Sequence, residues 1–171
     1  MKINISILST DFSPDKGGIQ NWMFYLCKLL KINFNNVNTY SYKKDSFYKY
    51  FKTIKSDIFF LSTWKQAFFI FPILLITSKK IFIFIHGSEL LNINSFYKYI
   101  FSYLLIRKNT YFIANSDAIG VLFFKTTGRS VNFIQHPFGD YSKTWVSRIN
   151  NTKSEINFFD NLGYNFSANS I

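Results

Sequence analysis

Three short segments of unbroken apolar residues constrain this chain more than anything else in it: IFFL at 58–61, IFIFI at 81–85 and YFIA at 111–114. A strand with one wet face alternates apolar and polar side chains. A strand with no polar position is covered on both faces, the mark of a parallel sheet enclosed by helices. The segments between these runs have helical length and spacing, so strand and helix alternate along the chain.

The alternation begins at the first residues. Residues 2–9 (KINISILS) predict a strand and 10–18 (TDFSPDKGG) a turn-rich loop. Ile19, Trp22, Met23, Leu26, Leu29 and Leu30 then recur at helical spacing to about residue 31. A short strand is predicted at 37–42, a Lys-rich helix at 45–55, and further helices at 64–77, 95–107 and 117–125. A last strand falls at 131–135. The predicted fold class is therefore α/β: a Rossmann-like, doubly wound, mainly parallel sheet flanked by helices. Residues 1–140 form that domain, and 141–171, polar and Asn-rich, read as a linker and tail with one short helix at 154–162 stopped by Gly163.

Length and composition narrow the classes further. A chain of 171 residues holds one domain of ordinary size. With 48% hydrophobic and 17% charged residues it is globular rather than disordered. Its single cysteine, Cys27, excludes an internal disulfide, and with His86 and His136 it makes no metal-ligand spacing. Cys27 falls among the apolar positions of the first helix, where a buried, inert thiol is expected. The longest apolar run, 67–76, contains Pro72 and falls short of the roughly 20 residues a membrane crossing needs. No charged-then-apolar leader opens the chain, so the expected location is cytoplasmic. The net charge of +11 favours anionic partners: nucleic acid, an acidic membrane surface or a phosphorylated substrate. Lysines supplied by an AT-rich coding sequence are an equally sufficient source of it.

Four groups of residues carry candidate chemistry. Gly17 and Gly18, with Gln20 after them, sit at the mouth of the first helix, where free N–H groups suit a phosphate or a sugar hydroxyl. The spacing is not G-x-G-x-x-G, and taken alone the pair reads first as a tight strand-to-helix turn. His86 and Gly87 directly follow the buried run 81–85, at the strand end where ligands bind in open α/β sheets. The imidazole can give or take a hydrogen bond to a sugar hydroxyl, while a packing cap is the plainer role. Asn115 and Ser116 follow the run 111–114, as cleft-lining residues or as the cap of the next helix. Lys44, Lys49, Lys52 and Lys55, among Phe47, Tyr48, Tyr50 and Phe51, would suit an anionic membrane on the inner face of the cell. Equally, Phe47, Phe51 and Ile54 would be the core stripe of that helix and the lysines its wet face.

Read in order, LSTDFSPDKGGIQNWMFYLCKLL, SDIFFLSTWKQAFFIFPILL, IFIFIHGSELL, YFIANSDAIGVLF and VNFIQHPFGD resemble the N-terminal domain of the retaining GT-B glycosyltransferases called family 4. The resemblance covers roughly residues 2–140. It implies transfer of a sugar from a nucleotide-sugar donor to a glycan or lipid-linked acceptor in cell-surface polysaccharide synthesis, with no metal and no other cofactor. It implies that Gly17 and Gly18 face the donor diphosphate and the acceptor, that His86 reaches toward the transferred sugar, and that Asn115 and Ser116 line the cleft. His136-Pro137-Phe138-Gly139 stands where many members have a Pro-Asn-Gly turn. The family's donor-binding half, with its two glutamates eight positions apart, has no counterpart here, since the only glutamates are Glu89 and Glu155. The expectation is an acceptor-side half, inactive alone. A membrane-docking, acceptor-binding subunit of a split enzyme is the alternative. A basic nucleic-acid-binding protein is a third reading, but no helix-turn-helix, zinc or RNP-like signature accompanies the charge, and nucleic acid is not the expected partner.

Overall fold

The computed structural model describes residues 3–12, 17–91, 93 and 95–134. Among them are six strands: β1 (Ile5–Ser9), β2 (Val37–Ser41), β3 (Ile58–Leu61), β4 (Lys80–Ile85), β5 (Thr110–Ala114) and β6 (Phe133–Ile134). The helices are α1 (Gly18–Asn33), α2 (Phe47–Ile54), α3 (Ala67–Ile76), α4 (Ser88–Leu91), α5 (Ser95–Ile106) and α6 (Asp117–Thr127). The predicted helix at 64–77 begins as a 3-10 turn, Trp64–Gln66, before α3, and the one-turn helix α4 was not foreseen. The predicted helix at 154–162 and the tail at 141–171 lie outside the described residues.

The strands form one sheet in the order β2-β1-β3-β4-β5-β6. Every neighbouring pair is parallel, with Ile5 beside both Val37 and Ile58, and Ile81 beside Thr110. The chain leaves β1 for β2, returns past β1 to β3, and from there runs on to β6. Strand order thus reverses between β1 and β3, and a crevice opens at the carboxyl ends of strands at such a reversal.

Burial follows the period of two. Leu8, Phe59, Leu61, Ile81, Ile83, Ile85 and Phe112 share one core with Trp64, Ile70 and Leu74 from the α3 region, Phe101 and Leu104 from α5, and Phe123 from α6. The alternate residues Ile5, Ile7, Ile58, Phe60, Phe82 and Phe84 are buried too. Trp22 of α1 packs on Phe84 with ring centroids 4.0 Å apart. On the same side Phe60, Phe82 and Tyr111 occupy one register row and stack at 4.9 Å intervals. Each fully buried Ile, Leu or Phe contributes about 1.5–3 kcal/mol, so the apolar runs are the main stabilising feature of the sheet.

α1 buries Trp22, Met23, Leu26, Cys27 and Leu30, close to the predicted stripe. Burial raises the Cys27 thiol above its ordinary pKa against the opposing pull of Lys31, as an inert core thiol requires. α2 differs from its predicted stripe: Phe51 is half exposed, while Thr53 is buried and the Tyr50 ring packs against Tyr40. The tyrosine hydroxyl donates to the Phe69 carbonyl of α3, so a polar tip is met on the inner side of the helix layer.

Candidate functional site at the carboxyl edge of the sheet

Strands β1 to β5 each deliver a polar residue to the same carboxyl edge, along which the reversal between β1 and β3 lies. Beyond β1, the Ser9 hydroxyl donates to the Asp11 carbonyl at 2.8 Å. The Ser41 hydroxyl of β2 donates to the Thr10 carbonyl at 2.9 Å, fastening this loop to the neighbouring strand. The Asp11 carboxylate is almost fully buried; Oδ1 accepts the Phe12 N–H at 2.7 Å and lies 2.9 Å from Lys44 Nζ.

The glycine pair follows. Gly17 has φ 141°, a region that favours glycine, and a Cβ there would stand 3.0 Å from Gln20 Oε1. Gln20 therefore folds back over the turn. Gly18 opens α1 with nothing within 4 Å of the place a Cβ would take. Among the described residues the first turn of α1 has neither an acidic residue nor a side-chain cap from its N-cap Gly17, and it carries the positive end of the helix dipole.

β3 ends in Ser62, whose N–H bonds Leu8 O at 3.0 Å across the reversal. Gln66 Oε1 accepts the Ser62 N–H at 2.8 Å while its amide donates to the Ser62 hydroxyl, and Thr63 and Gln66 form a reciprocal capping box. β4 ends at His86. Its Nε2 lies 3.0 Å from the Ser62 carbonyl. A carbonyl can only accept, so Nε2 carries the proton, and in the neutral ring Nδ1 is the acceptor. Burial lowers the His86 pKa from its ordinary value, against the pull of Glu89 and the Ser62 carbonyl, so the ring is neutral at pH 7. The buried Glu89 carboxylate reaches back to accept the His86 N–H at 3.0 Å.

Gly87 has φ 97°, and a Cβ would fall 2.6 Å from Ile119 Cδ1 of α6. Its lack of a side chain lets the β4 turn pack against that helix. After β5, Ser116 is the N-cap of α6, its hydroxyl accepting the Ile119 N–H at 3.3 Å. Asn115 Oδ1 is buried with no hydrogen-bond partner among the described residues, and so is Asn21 Oδ1 in the first turn of α1. Buried acceptors are nearly always satisfied, so an orphan at a strand end is an opening for a bound donor.

The structure thus puts Gly17, Gly18, Gln20, His86, Gly87, Asn115 and Ser116 beyond the ends of β1, β4 and β5, on one edge. Sequence reasoning passed over Ser62 and Gln66, and it gave Asp11 and Glu89, which stand in the motifs of the glycine loop and of His86, no role of their own. The signal that selected His86 and Asn115, a polar residue straight after an apolar run, was equally present at Ser62. Of the four lysines, Lys44 reaches this edge through Asp11, while Lys49 and Lys52 lie on α2 and Lys55 just after it. Lys44 is paired with Asp11 and Lys49 with Asp45 at 2.8 Å; Lys52 lies 5.4 Å from the Tyr48 ring centroid, and Lys55 is exposed.

Among the described residues no three His, Cys, Asp or Glu side chains gather as a metal site, and no helix is long and apolar enough to cross a membrane. Searches against protein-family models, curated proteins and solved structures give no match to this chain.

Proposed function

We propose that this chain is the acceptor-side domain of a retaining, two-domain glycosyltransferase of the family 4 kind, acting on a glycan or lipid-linked acceptor in cell-surface polysaccharide synthesis. The observation that carries the reading is the common placement of the glycine turn, His86 and Asn115 at the carboxyl ends of β1, β4 and β5, on the edge where strand order reverses between β1 and β3. That edge is where an open parallel sheet takes its ligand.

The chemistry available there is hydrogen bonding and fixed electrostatics. Neutral His86, its Nε2 held by Ser62, presents Nδ1 as an acceptor for a sugar hydroxyl. The first turn of α1, which Gly17 gives no side-chain cap, offers N–H donors and partial positive charge where a diphosphate leaving group would gather charge. Gly18 keeps that approach open. Asn115 Oδ1 supplies a further acceptor. A nucleotide-sugar donor would be held chiefly by a second domain, and transfer needs both walls of the cleft. The reading requires no metal or other cofactor and assigns nucleic acid no part.

Amide NMR of the chain titrated with oligosaccharides and lipid-linked sugars tests it. Shifts concentrated at Gly18, His86 and Asn115, reduced by His86→Ala, are the expected result. Shifts confined to other surfaces would remove the site assignment. Calorimetry adds a second arm: micromolar affinity of this chain alone for a nucleotide sugar would overturn the half-enzyme reading.

A further inference from the structure

α3 is apolar on every side. Ala67, Ile70 and Leu74 are buried, yet the opposite side carries Phe68, Phe69, Pro72, Leu75 and Ile76, all exposed, with Ile76 at 82%. Their spacing is one helical face, and an outward face is ordinarily where polar residues lie. The helix beside it continues the surface: Tyr99 of α5 is 81% exposed and Ile106 79%. Tyr48 and Phe51 of α2 extend it on the other flank, and between α2, α3 and α5 lies an apolar cleft of about 620 Å³ that includes Tyr50, Phe69, Pro72 and Tyr99.

Charge within these helices has one sign, and Asp45, just before α2, is held by Lys49 at 2.8 Å. α2, α3 and α5 contain no Asp or Glu, while exposed Lys52, Lys65 and Lys98 lie on or immediately before them. We infer that the outer face of α3, with Tyr99 and Ile106 of α5, is a docking surface that seats in the interface of an anionic lipid bilayer. A helix of ten residues is about 15 Å long, enough to lie flat in the headgroup boundary and too short to cross. Exposed tyrosines belong at headgroup depth, and lysines around an apolar stripe meet anionic headgroups. A second copy in a two-fold contact would set this lysine rim against itself. The inference goes beyond the transfer reading, since binding to lipid requires no glycosyl transfer.

Co-sedimentation of the purified chain with phosphatidylcholine vesicles, with and without phosphatidylglycerol, tests it. Anionic vesicles should carry the protein down and neutral ones should not, with binding falling as salt rises, because exposed charges are screened over about 8–10 Å near physiological ionic strength. Phe68→Gln with Leu75→Gln and Ile76→Gln should cut binding about tenfold or more through lost apolar insertion, with the thermal midpoint close to that of the unaltered chain. Ile76→Gln alone serves the same end should the triple variant fold poorly. Replacing Lys52, Lys65 and Lys98 with Gln should weaken binding by about fivefold per lysine. The same change at Lys28, Lys31 and Lys125, exposed on α1 and α6, should cost much less. Equal losses from the two lysine sets would reduce the effect to net charge and overturn the inference. So would unchanged pelleting of the α3 variants, equal binding to neutral vesicles, no binding at all, or a dimer in sedimentation velocity that the α3 changes dissociate.

Discussion

His86 shows how one contact sets the chemistry of a residue. The Ser62 carbonyl fixes the proton on Nε2, and burial disfavours the charged ring. With the folded pKa below the ordinary 6.5, the unfolded chain takes up a proton first as pH falls. This contribution to stability is therefore complete above about pH 6.5 and is lost as pH drops from there toward the folded value. Urea midpoints measured from about pH 8 to about pH 5 should fall more steeply for the unaltered chain than for His86→Gln, which cannot titrate. Parallel slopes would mean that His86 is not buried in its neutral form. Gly87 illustrates a different constraint at the same turn: its positive φ and its approach to Ile119 serve packing as much as ligand access.

Helix ends carry the ambiguity of the candidate site at the scale of elements. α6 is closed at both ends, by Ser116 at its start and by Gly128 in the left-handed conformation at its finish, whose N–H bonds Phe124 O at 2.8 Å. Ser116→Ala should therefore cost about 1 kcal/mol, read as a lowered denaturation midpoint, with Ser116→Asp restoring most of it. If Ser116→Ala leaves stability unchanged but alters sugar-induced shifts, the hydroxyl serves the ligand rather than the helix. α1 is the contrasting case, since its N-cap, Gly17, has no side chain to cap the first turn. α3 has a missing donor of its own, because Pro72 has no N–H to offer the Phe68 carbonyl one turn back.

At the scale of the whole molecule, the sheet is graded from centre to edge. β1, β3 and β4 are bonded on both sides and buried, whereas edge strand β2 has half-exposed and exposed positions at Val37, Asn38 and Thr39. Amide hydrogen exchange should accordingly be slowest in β1, β3 and β4 and much faster in β2 and β6, because opening of an edge breaks fewer buried contacts. Uniform exchange across all six strands would contradict a single graded core.

Composition and period alone determined the class of fold. Runs such as IFFL and IFIFI have no polar position to turn outward, so they can be stable only with both faces covered, and that condition selects a parallel sheet between helices. They also placed His86 and Asn115 at strand ends, because a polar residue after an apolar run marks where the run leaves the core. The order of the strands was not legible, since periodicity says what a segment buries and not which neighbour it pairs with. Only the tertiary structure put the reversal between β1 and β3 and so drew Asp11, Ser62 and Gln66 to one edge. It alone separated Lys44 and Lys49, held by carboxylates, from Lys52 and Lys55. It alone turned Phe68, Leu75 and Ile76 outward: a helix apolar all round has no sequence signal for its inner side, and the choice falls to the sheet against which it packs.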